Sequence, residues 1–346
     1  MKIGIVTTVV PYLYGGAEFL ADSLRDKLIE YGHEAGVFTL PFSWMPLSNI
    51  VDGMMAARLT QLVNVDLMIG LKFPAYLAPH SNKKLWLLHQ FRQAYDLSGT
   101  QYDVFSDSTH DQSIKKAIVS ADNAYLRPLE GNIFTNSRVV SDRLMRHNGI
   151  ASRVLFPPLM DSALFRRGQQ GDYIFCPSRV NFSKRQHLLV EAMQYVKTSV
   201  KLVLAGVGDV KDDEHQIYRI IEKYRLEGKV TYYDRFITQQ EKADLFADCL
   251  AGAYIPYDED SYGYVALECL HSHKPLITCT DSGGTDIVVV NGETGYRVEP
   301  SPQALAEAMD KLYEERKHTL DMGESGFALI EKLGINWDTV IGRLTE

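Results

Sequence analysis

Short apolar segments alternate with amphipathic stretches along almost the whole chain, and this alternation limits the folds that the chain can adopt. The apolar segments are continuous, as is typical of strands that are buried on both faces of a parallel sheet. The first example is a strand predicted over 2–10, which is followed by Gly15-Gly16 and a helix predicted over 16–32. The pattern therefore predicts an α/β fold in which helices cover both faces of parallel sheets.

The alternation is interrupted once, at Pro157-Pro158 and the polar stretch that follows it, and it restarts at Tyr173. A chain of 346 residues is long enough for two domains with separate cores. We therefore predict two Rossmann-like, doubly wound domains over 1–165 and 166–346, facing each other across a cleft, with the last helix crossing back to the first domain. Ligands of such sheets bind at the carboxyl ends of the strands, so the site residues are sought in the loops there.

Composition excludes several classes of function. The net charge of −8 argues against nucleic acid as the main partner, because phosphate binding requires a basic surface. The four cysteines show no zinc-ligand spacing, which favours buried, reduced thiols, a cytoplasmic location and no metal site.

The apolar run 3–10 is interpreted as a strand rather than a signal peptide, because no convincing cleavage region follows it. No stretch approaches the ~20 apolar residues that cross a bilayer.

The first candidate site is Gly15-Gly16, between the first strand and the first helix. Two glycines let the backbone approach a ligand closely, and a helix N-terminus offers N–H groups to an anion. An ordinary tight turn is the alternative. The Gly-x-Gly at Gly206 and Gly208 lacks a third glycine, so no nicotinamide fingerprint is present and no bound cofactor is predicted.

The second candidate is Arg179 with Lys184, on the loop that directly follows a predicted strand. Two cations on one strand-to-helix loop can converge on a diphosphate. Most Arg/Lys pairs at this spacing are merely solvated, but the position at the carboxyl end of a strand favours a binding role.

The third candidate is the segment from Asp260 to Glu268, which we predict to run from a loop into the following helix. Gly263, Tyr264 and Val265 would present backbone N–H groups at the start of that helix, where an anion can bind. One carboxylate could hold sugar hydroxyls and the other a ribose diol; a charged loop capping a helix is the alternative. The Asp-x-Asp at 258–260 also resembles a metal-binding motif. We discount that interpretation, because the motif is typical of a different architecture and not of doubly wound sheets.

His89 closes another predicted strand and could contact a sugar or an acceptor, although a structural histidine is an equal alternative.

Taken in order, these segments resemble the family-4 retaining glycosyltransferases with the GT-B fold. The resemblance rests on ordered, spaced motifs that cover nearly the whole chain: Gly15-Gly16-Ala17-Glu18, Phe134-Thr135-Asn136-Ser137, Arg179 with Lys184, Asp260 with Glu268, Asp281-Ser282-Gly283-Gly284 and Asn291-Gly292-Glu293-Thr294-Gly295. The sequence departs from the family at Asp260, where Glu is usual, and at Asp234, where Gly is usual.

The resemblance implies a role for each candidate. Arg179 and Lys184 bind the diphosphate of a nucleotide-sugar donor, assisted by Gly15-Gly16 and the 263–265 amides. Glu268 binds the ribose and Asp260 the transferred hexose, while Phe236 lies near the base.

It also implies a metal-independent, retaining transfer to a carbohydrate or lipid-linked acceptor, as in surface polysaccharide synthesis. Arg138, Arg143, Arg146 and Arg153 are clustered in the sequence and could contact the inner face of a membrane, although a solvated helix face is the favoured interpretation.

Other functions fit part of this pattern. A nucleotide-sugar epimerase or a sugar-phosphate synthase has the same fold and donor site. A catalytically silent homologue would bind a nucleotide sugar without transferring it.

Overall fold

The computed structural model describes residues 1–10, 12, 15–100 and 103–346. The chain forms two compact units. Unit 1 consists of Met1–Pro157 together with Asn336–Glu346, and unit 2 consists of Pro158–Ile335. Residues 158–165, which the sequence assigned to the first domain, thus belong to unit 2, where Phe165 packs edge-on against Phe246 at 6.3 Å.

Unit 1 is built on one parallel sheet of six strands in the order β2-β1-β3-β4-β5-β6. Its strands are β1 (Lys2–Val9), β2 (Glu34–Pro41), β3 (Leu67–Lys72), β4 (Lys83–His89), β5 (Ile133–Thr135) and β6 (Arg153–Val154). The strand order reverses between β1 and β3. In doubly wound sheets the loops at such a reversal diverge and leave a crevice at the carboxyl ends of the strands.

Helices cover this sheet, and the last one comes from the far end of the chain. They are α1 (Gly16–Glu30), α2 (Ser48–Leu59), α3 (Thr109–Leu126), α4 (Arg138–Asn148) and α11 (Trp337–Thr345). Helix α11 completes the core of unit 1, because Trp337, Val340, Ile341 and Leu344 pack with residues of β1, β3 and β4. The rings of Trp337 and Trp86 meet edge-on at 6.3 Å.

A buried polar network lies behind the end of β4. Asp122 of α3 is fully buried, and its Oδ1 accepts a hydrogen bond from the Tyr76 hydroxyl at 2.8 Å. Its Oδ2 accepts from the Tyr95 hydroxyl at 2.6 Å and from Gln90 Nε2 at 3.1 Å. Burial raises the pKa of Asp122 to about 6, although these hydrogen bonds oppose the shift. Both oxygens of this carboxylate therefore have partners within the protein.

Unit 2 is built on a second parallel sheet of six strands, in the order β12-β11-β10-β7-β8-β9. Its strands are β7 (Tyr173–Pro177), β8 (Lys201–Ala205), β9 (Val230–Tyr233), β10 (Ala251–Ala253), β11 (Leu276–Cys279) and β12 (Gly295–Val298). Here the order reverses between β7 and β10, which pair through Ala251 with Ile174 and Gly252 with Phe175.

The helices of unit 2 are α5 (Gln186–Ala192), α6 (Lys211–Tyr224), α7 (Gln239–Ala247), α8 (Tyr264–His271), α9 (Pro302–Glu314) and α10 (Arg316–Lys332). Residues of β7, β8, α5, α6 and α9 form a continuous apolar core. All four cysteines are reduced and buried in this unit, and burial raises the pKa of the Cys176 thiol to about 12.

The predicted α/β class with two parallel, doubly wound sheets is confirmed. The sequence missed helix α2, because only Ile50 and Ala57 of that helix are buried and its apolar face is narrow. It also missed the two-residue strand β6. Strand β10 is short and ends at Ala253, because the chain leaves the sheet at Tyr254 to enter the site described next.

Candidate functional site

The candidate site of unit 2 lies where its strand order reverses. The chain leaves β7 at Pro177 and runs through Arg179 to Lys184, while the chain leaving the neighbouring β10 runs from Tyr254 to Asp260. The two loops are joined by a hydrogen bond from the Tyr257 N–H to the Ser183 carbonyl at 2.8 Å. The predicted cations and the predicted acidic loop thus come from adjacent strands and meet at one edge of the sheet.

Lys184 points into this edge and is already paired. Its Nζ donates to the Tyr254 hydroxyl at 2.8 Å and lies 2.5 Å from Glu259 Oε2. Its side chain is only 19% exposed. Burial by itself lowers the pKa of Lys184, but the oxygens of Tyr254 and Glu259 raise it above its ordinary value. Lys184 is therefore a partly buried cation that stays charged at neutral pH.

Arg179 is more exposed than Lys184. Its NH1 lies 3.0 Å from Asp209 Oδ1, and the two side chains are 57% and 40% exposed. Asp209 is held in turn by Asn181 Nδ2 at 2.9 Å. An exposed pair of this kind contributes little, about 0–1 kcal/mol, so the guanidinium can exchange its partner easily.

Arg185 clamps the loops around Lys184. Its Nε and NH2 donate to the carbonyls of Ile255 and Pro256, and its guanidinium forms a bidentate pair with Asp281 at 2.7 and 2.8 Å. Arg185 is 8% exposed and holds a φ of 58°, in the left-handed region that non-glycine residues rarely adopt. The loops that follow β7, β10 and β11 are thus fastened to one side chain.

Two glycines let the acidic loop pack tightly. Gly263, just before α8, has a φ of 74°, and a Cβ there would lie 2.4 Å from the Tyr254 ring. Gly283 has a φ of 60°, and a Cβ there would lie 2.2 Å from the Glu259 carbonyl oxygen. The next residue, Gly284, donates its N–H to that carbonyl at 2.9 Å. The backbone of Glu259 is therefore fixed by the Asp281-Ser282-Gly283-Gly284 segment.

Glu268 has an incomplete set of partners. It lies on α8, is 5% exposed, and its Oε1 accepts from Lys242 Nζ of α7 at 2.6 Å. Its Oε2 is buried and has no hydrogen-bond partner among the described residues. The Oγ of Ser261 is in the same condition. A buried polar atom without a partner costs free energy, and a bound ligand can remove that cost.

The other predicted residues of unit 2 lie in the same loops or beyond them. Asp260, Tyr264 and Val265 are half-buried, with Asp260 one residue after the fixed Glu259 and the other two in the first turn of α8. Phe236 follows β9 and is 77% exposed, so its ring is available to a ligand. Nearby, Asp234 accepts from the Tyr218 hydroxyl at 2.8 Å.

Gly15, Gly16 and His89 belong to unit 1. The Gly15 N–H donates to Glu18 Oε2 at 3.0 Å, and the other oxygen of Glu18 pairs with Lys72 Nζ at 2.7 Å. The Gly15 amide, which the sequence assigned to an anion, is thus bonded to a carboxylate of its own helix. His89 ends β4, is half-buried, and its Nδ1 lies 2.7 Å from the Gln90 carbonyl.

Sequence reasoning missed Tyr254, Glu259 and Lys242 as partners of the predicted site residues, and it missed the Arg185–Asp281 clamp. Arg185 follows Lys184 directly in the sequence, but its bonds to the Ile255 and Pro256 carbonyls and to Asp281 could not be predicted from that position. In the described part of the chain no group of three or more His, Cys, Asp or Glu residues could hold a metal ion. No described helix is long and apolar enough to cross a membrane.

Comparison with known proteins gives this site a context. Residues 165–328 match the family described as "Glycosyl transferases group 1". The alpha-1,3/1,6-mannosyltransferase ALG2 of Mus musculus is 29% identical over 136 residues, which are 38% of this chain and 32% of the mouse protein. The ALG2 protein of Dictyostelium discoideum is 30% identical over 135 residues. The match thus spans about a third of the length of these curated relatives.

Solved structures match along the whole chain. HepE of Anabaena, solved in complex with UDP and glucose, has a TM-score of 0.72 and 17% identity, with 100% of both chains covered. Sucrose-phosphate synthase of Thermosynechococcus elongatus has a TM-score of 0.75 and 17% identity, covering 100% of this chain and 98% of that one.

Together these comparisons show that the chain has the GT-B fold, as the sequence predicted. The residues that match the group 1 family, 165–328, all lie within unit 2.

Proposed function

We propose that the chain transfers a hexose from a nucleoside-diphosphate sugar, linked to UDP or GDP, to a carbohydrate or lipid-linked acceptor. The transfer retains the anomeric configuration and needs no metal ion. The observation that carries this proposal is the edge of unit 2, where two cations lie on the loop after β7 and a buried carboxylate with an unpartnered oxygen lies on the helix that follows β10.

The chemistry of each group fits a nucleotide sugar. Lys184 and Arg179 are suited to a diphosphate, because two cations can neutralise the charge that develops on it as the sugar leaves. The unpartnered Glu268 Oε2 can accept hydrogen bonds from a ribose diol. Asp260 can accept from hexose hydroxyls.

In the proposed reaction the bond between the anomeric carbon and the diphosphate oxygen breaks, and the acceptor oxygen attacks from the same face of the sugar. The acceptor proton passes to the departing phosphate oxygen. Because this route asks for no protein nucleophile, the work of the protein is to hold the diphosphate and stabilise its developing charge.

The names of related proteins support a nucleotide-sugar donor. The mouse relative is named a mannosyltransferase, and the Anabaena structure was solved with UDP and with UDP-glucose. The sequence resemblance supports the last part of the proposal, in which unit 1 binds the acceptor and His89 contacts a sugar or the acceptor.

Ligand-induced thermal stabilisation of the whole chain tests the proposal. The panel contains UDP, GDP, ADP and their common sugars, each with and without excess EDTA. We expect one nucleotide and its sugar to raise Tm selectively, and EDTA to leave the shift unchanged. Stabilisation by none of them would contradict the proposal. Loss of activity in EDTA that added metal restores would contradict the metal-independent part.

Turnover gives the second test. Lys184→Ala should lower the rate of nucleotide release from the selected sugar nucleotide at least a hundredfold, about 2.7 kcal/mol of transition-state stabilisation. Lys201→Ala is the matched control, because it removes the same charge at the amino end of β8, where Lys201 pairs with Asp172 on the surface. Equal rates in the two variants would remove Lys184 from the mechanism. Binding without release in the unmodified chain would indicate a silent homologue.

A further inference from the structure

The Lys184–Glu259 pair raises a question of charge that the proposed donor site does not answer. A diphosphate brings at least two negative charges to Lys184, yet Glu259 Oε2 already lies 2.5 Å from its ammonium. Like charges within about 4 Å repel strongly at a partly buried site. The carboxylate and the diphosphate therefore compete for the same cation.

We propose that Glu259 is the resident counter-anion of Lys184, and that the donor diphosphate displaces it on binding and is displaced by it on release. Glu259 thus weakens the binding of nucleoside diphosphates and speeds the departure of the product nucleotide. This inference rests on the proposed function of the same site.

The surroundings of Lys184 explain why a counter-anion is present. A partly buried ammonium without a partner is costly, and the side chain of Lys184 is 19% exposed. The Tyr254 hydroxyl contributes a hydrogen bond at 2.8 Å but no charge at neutral pH, since burial raises its pKa above the ordinary value. In the empty site Glu259 supplies the missing charge.

The structure also allows the exchange. The Glu259 backbone is held by the N–H of Gly284 at 2.9 Å, so the exchange needs a rotation of the side chain alone. That side chain is 28% exposed and has a path to water. Tyr254 stays bonded to Lys184 while the two anions exchange.

The other ion pairs of the site differ in the features that make displacement matter. Arg179 and Asp209 are largely exposed, so their separation costs little. Glu268 and Lys242 are 6% and 17% exposed, and Glu268 keeps a second oxygen for a ligand, so this pair can persist in the complex. Of these three acids, only Glu259 is held by a partly buried cation of the proposed diphosphate site.

The test is the affinity of the full chain for UDP and GDP, measured by calorimetry. Glu259→Gln keeps the shape and removes the charge, and it should tighten binding of the cognate nucleoside diphosphate at least fivefold and slow its dissociation. Asp258→Asn removes the same charge one residue earlier and should change the affinity less than twofold. In a Lys184→Ala background, Glu259→Gln should have no effect on affinity.

Damage to the fold would change the affinity of Glu259→Gln in the opposite direction. If Glu259 merely stiffens the loop or holds Lys184 in place, Glu259→Gln will weaken binding or leave it unchanged, and the inference is overturned. Glu259→Asp keeps the charge on a shorter side chain and should tighten binding less than Glu259→Gln does; equal tightening in the two variants would also overturn the inference. Failure of the unmodified chain to bind any of UDP, GDP or ADP would instead refute the proposed function.

Discussion

Asp122 of unit 1 and Glu268 of unit 2 are both buried carboxylates, and the two differ in how completely they are partnered. In unit 1, both oxygens of Asp122 accept hydrogen bonds, from Tyr76, Tyr95 and Gln90. In unit 2, Glu268 is nearly as buried, but only its Oε1 has a partner, Lys242. A completed network stabilises a fold, whereas an incomplete one at the reversal of a parallel sheet indicates a place for a ligand.

The ends of the strands repeat this difference. At the reversal in unit 1, Glu18 bonds both Lys72 and the Gly15 amide, and so ties helix α1 to β3. At the reversal in unit 2, Lys184 pairs with Glu259 and Arg179 pairs with Asp209, the two carboxylates that the proposed diphosphate would replace. The proposal thus assigns a closed arrangement to unit 1 and an exchangeable one to unit 2.

The largest effect that separates the two acids is expected at Glu268. Glu268→Ala should lower turnover at least a hundredfold, because the proposed ribose contact and the partner of Lys242 are both lost. Glu268→Gln should weaken nucleotide binding at least tenfold. A 2′-deoxynucleotide should bind the unmodified chain more weakly than the ribonucleotide does, while Glu268→Gln should no longer distinguish them. Calorimetry with both nucleotides measures this.

Asp122→Asn is the matched control for that experiment, since it alters the buried acid of unit 1. Nucleotide affinity should stay within twofold of the unmodified chain. A similar loss of affinity in both variants would break the distinction between a structural and a ligand-binding carboxylate.

Asp122 should reveal itself through pH instead. Its folded-state pKa of about 6 lies above the ordinary 3.8, so the folded protein binds the proton more tightly. The stabilisation is present at low pH and is lost as pH rises through 6. Asp122→Asn abolishes this titration. Relative to the unmodified chain, the variant should therefore gain stability between pH 4 and pH 8, with a free energy of unfolding about 2 kcal/mol larger at pH 8.

Urea unfolding at the two pH values measures the difference. Asp142→Asn serves as the control, because it removes the same charge at a carboxylate that is 61% exposed on α4. An offset for Asp122→Asn that is equal at the two pH values would mean that Asp122 does not change its protonation in this range.

The smallest effect is expected at the closed strand end of unit 1. Lys72→Ala breaks the 2.7 Å pair with Glu18. The side chain of Lys72 is 14% exposed and that of Glu18 is 18% exposed. The loss should be about 1 kcal/mol, or 2–4 °C in Tm. Turnover should fall at most tenfold, against at least a hundredfold for Lys184→Ala. A loss as large as that of Lys184→Ala would show that the Lys72 pair also takes part in donor binding.

The sequence predicted the parts of this molecule that depend on local pattern. Nearly every strand could be located, because a strand buried on both faces leaves an uninterrupted apolar run. Arg179 and Lys184 could be selected because they lie just beyond such a run, and Asp260 and Glu268 because their segment runs from a loop into the following helix. Their roles stay predictions.

The partners of these residues could not be predicted, because they are set by packing between distant elements. Lys242 reaches Glu268 because α7 packs beside α8. Tyr254 reaches Lys184 because the strands that they follow, β10 and β7, are neighbours in the sheet but distant in the sequence. Nothing in the local sequence singles out Glu259, rather than one of the neighbouring acids, as the partner of Lys184. Helix α2 escaped prediction for a similar reason, since its burial depends on the aromatic cluster of Phe42 and Phe73 rather than on its own periodicity.

The return of α11 to unit 1 has a consequence for biosynthesis. A ribosome delivers all of unit 2 before it delivers Trp337, Val340, Ile341 and Leu344, which fill the core of unit 1. Unit 2 can therefore fold as soon as it emerges, while unit 1, although translated first, must wait with an open apolar surface until the last helix arrives. The first half of the chain is the part that a chaperone would need to protect.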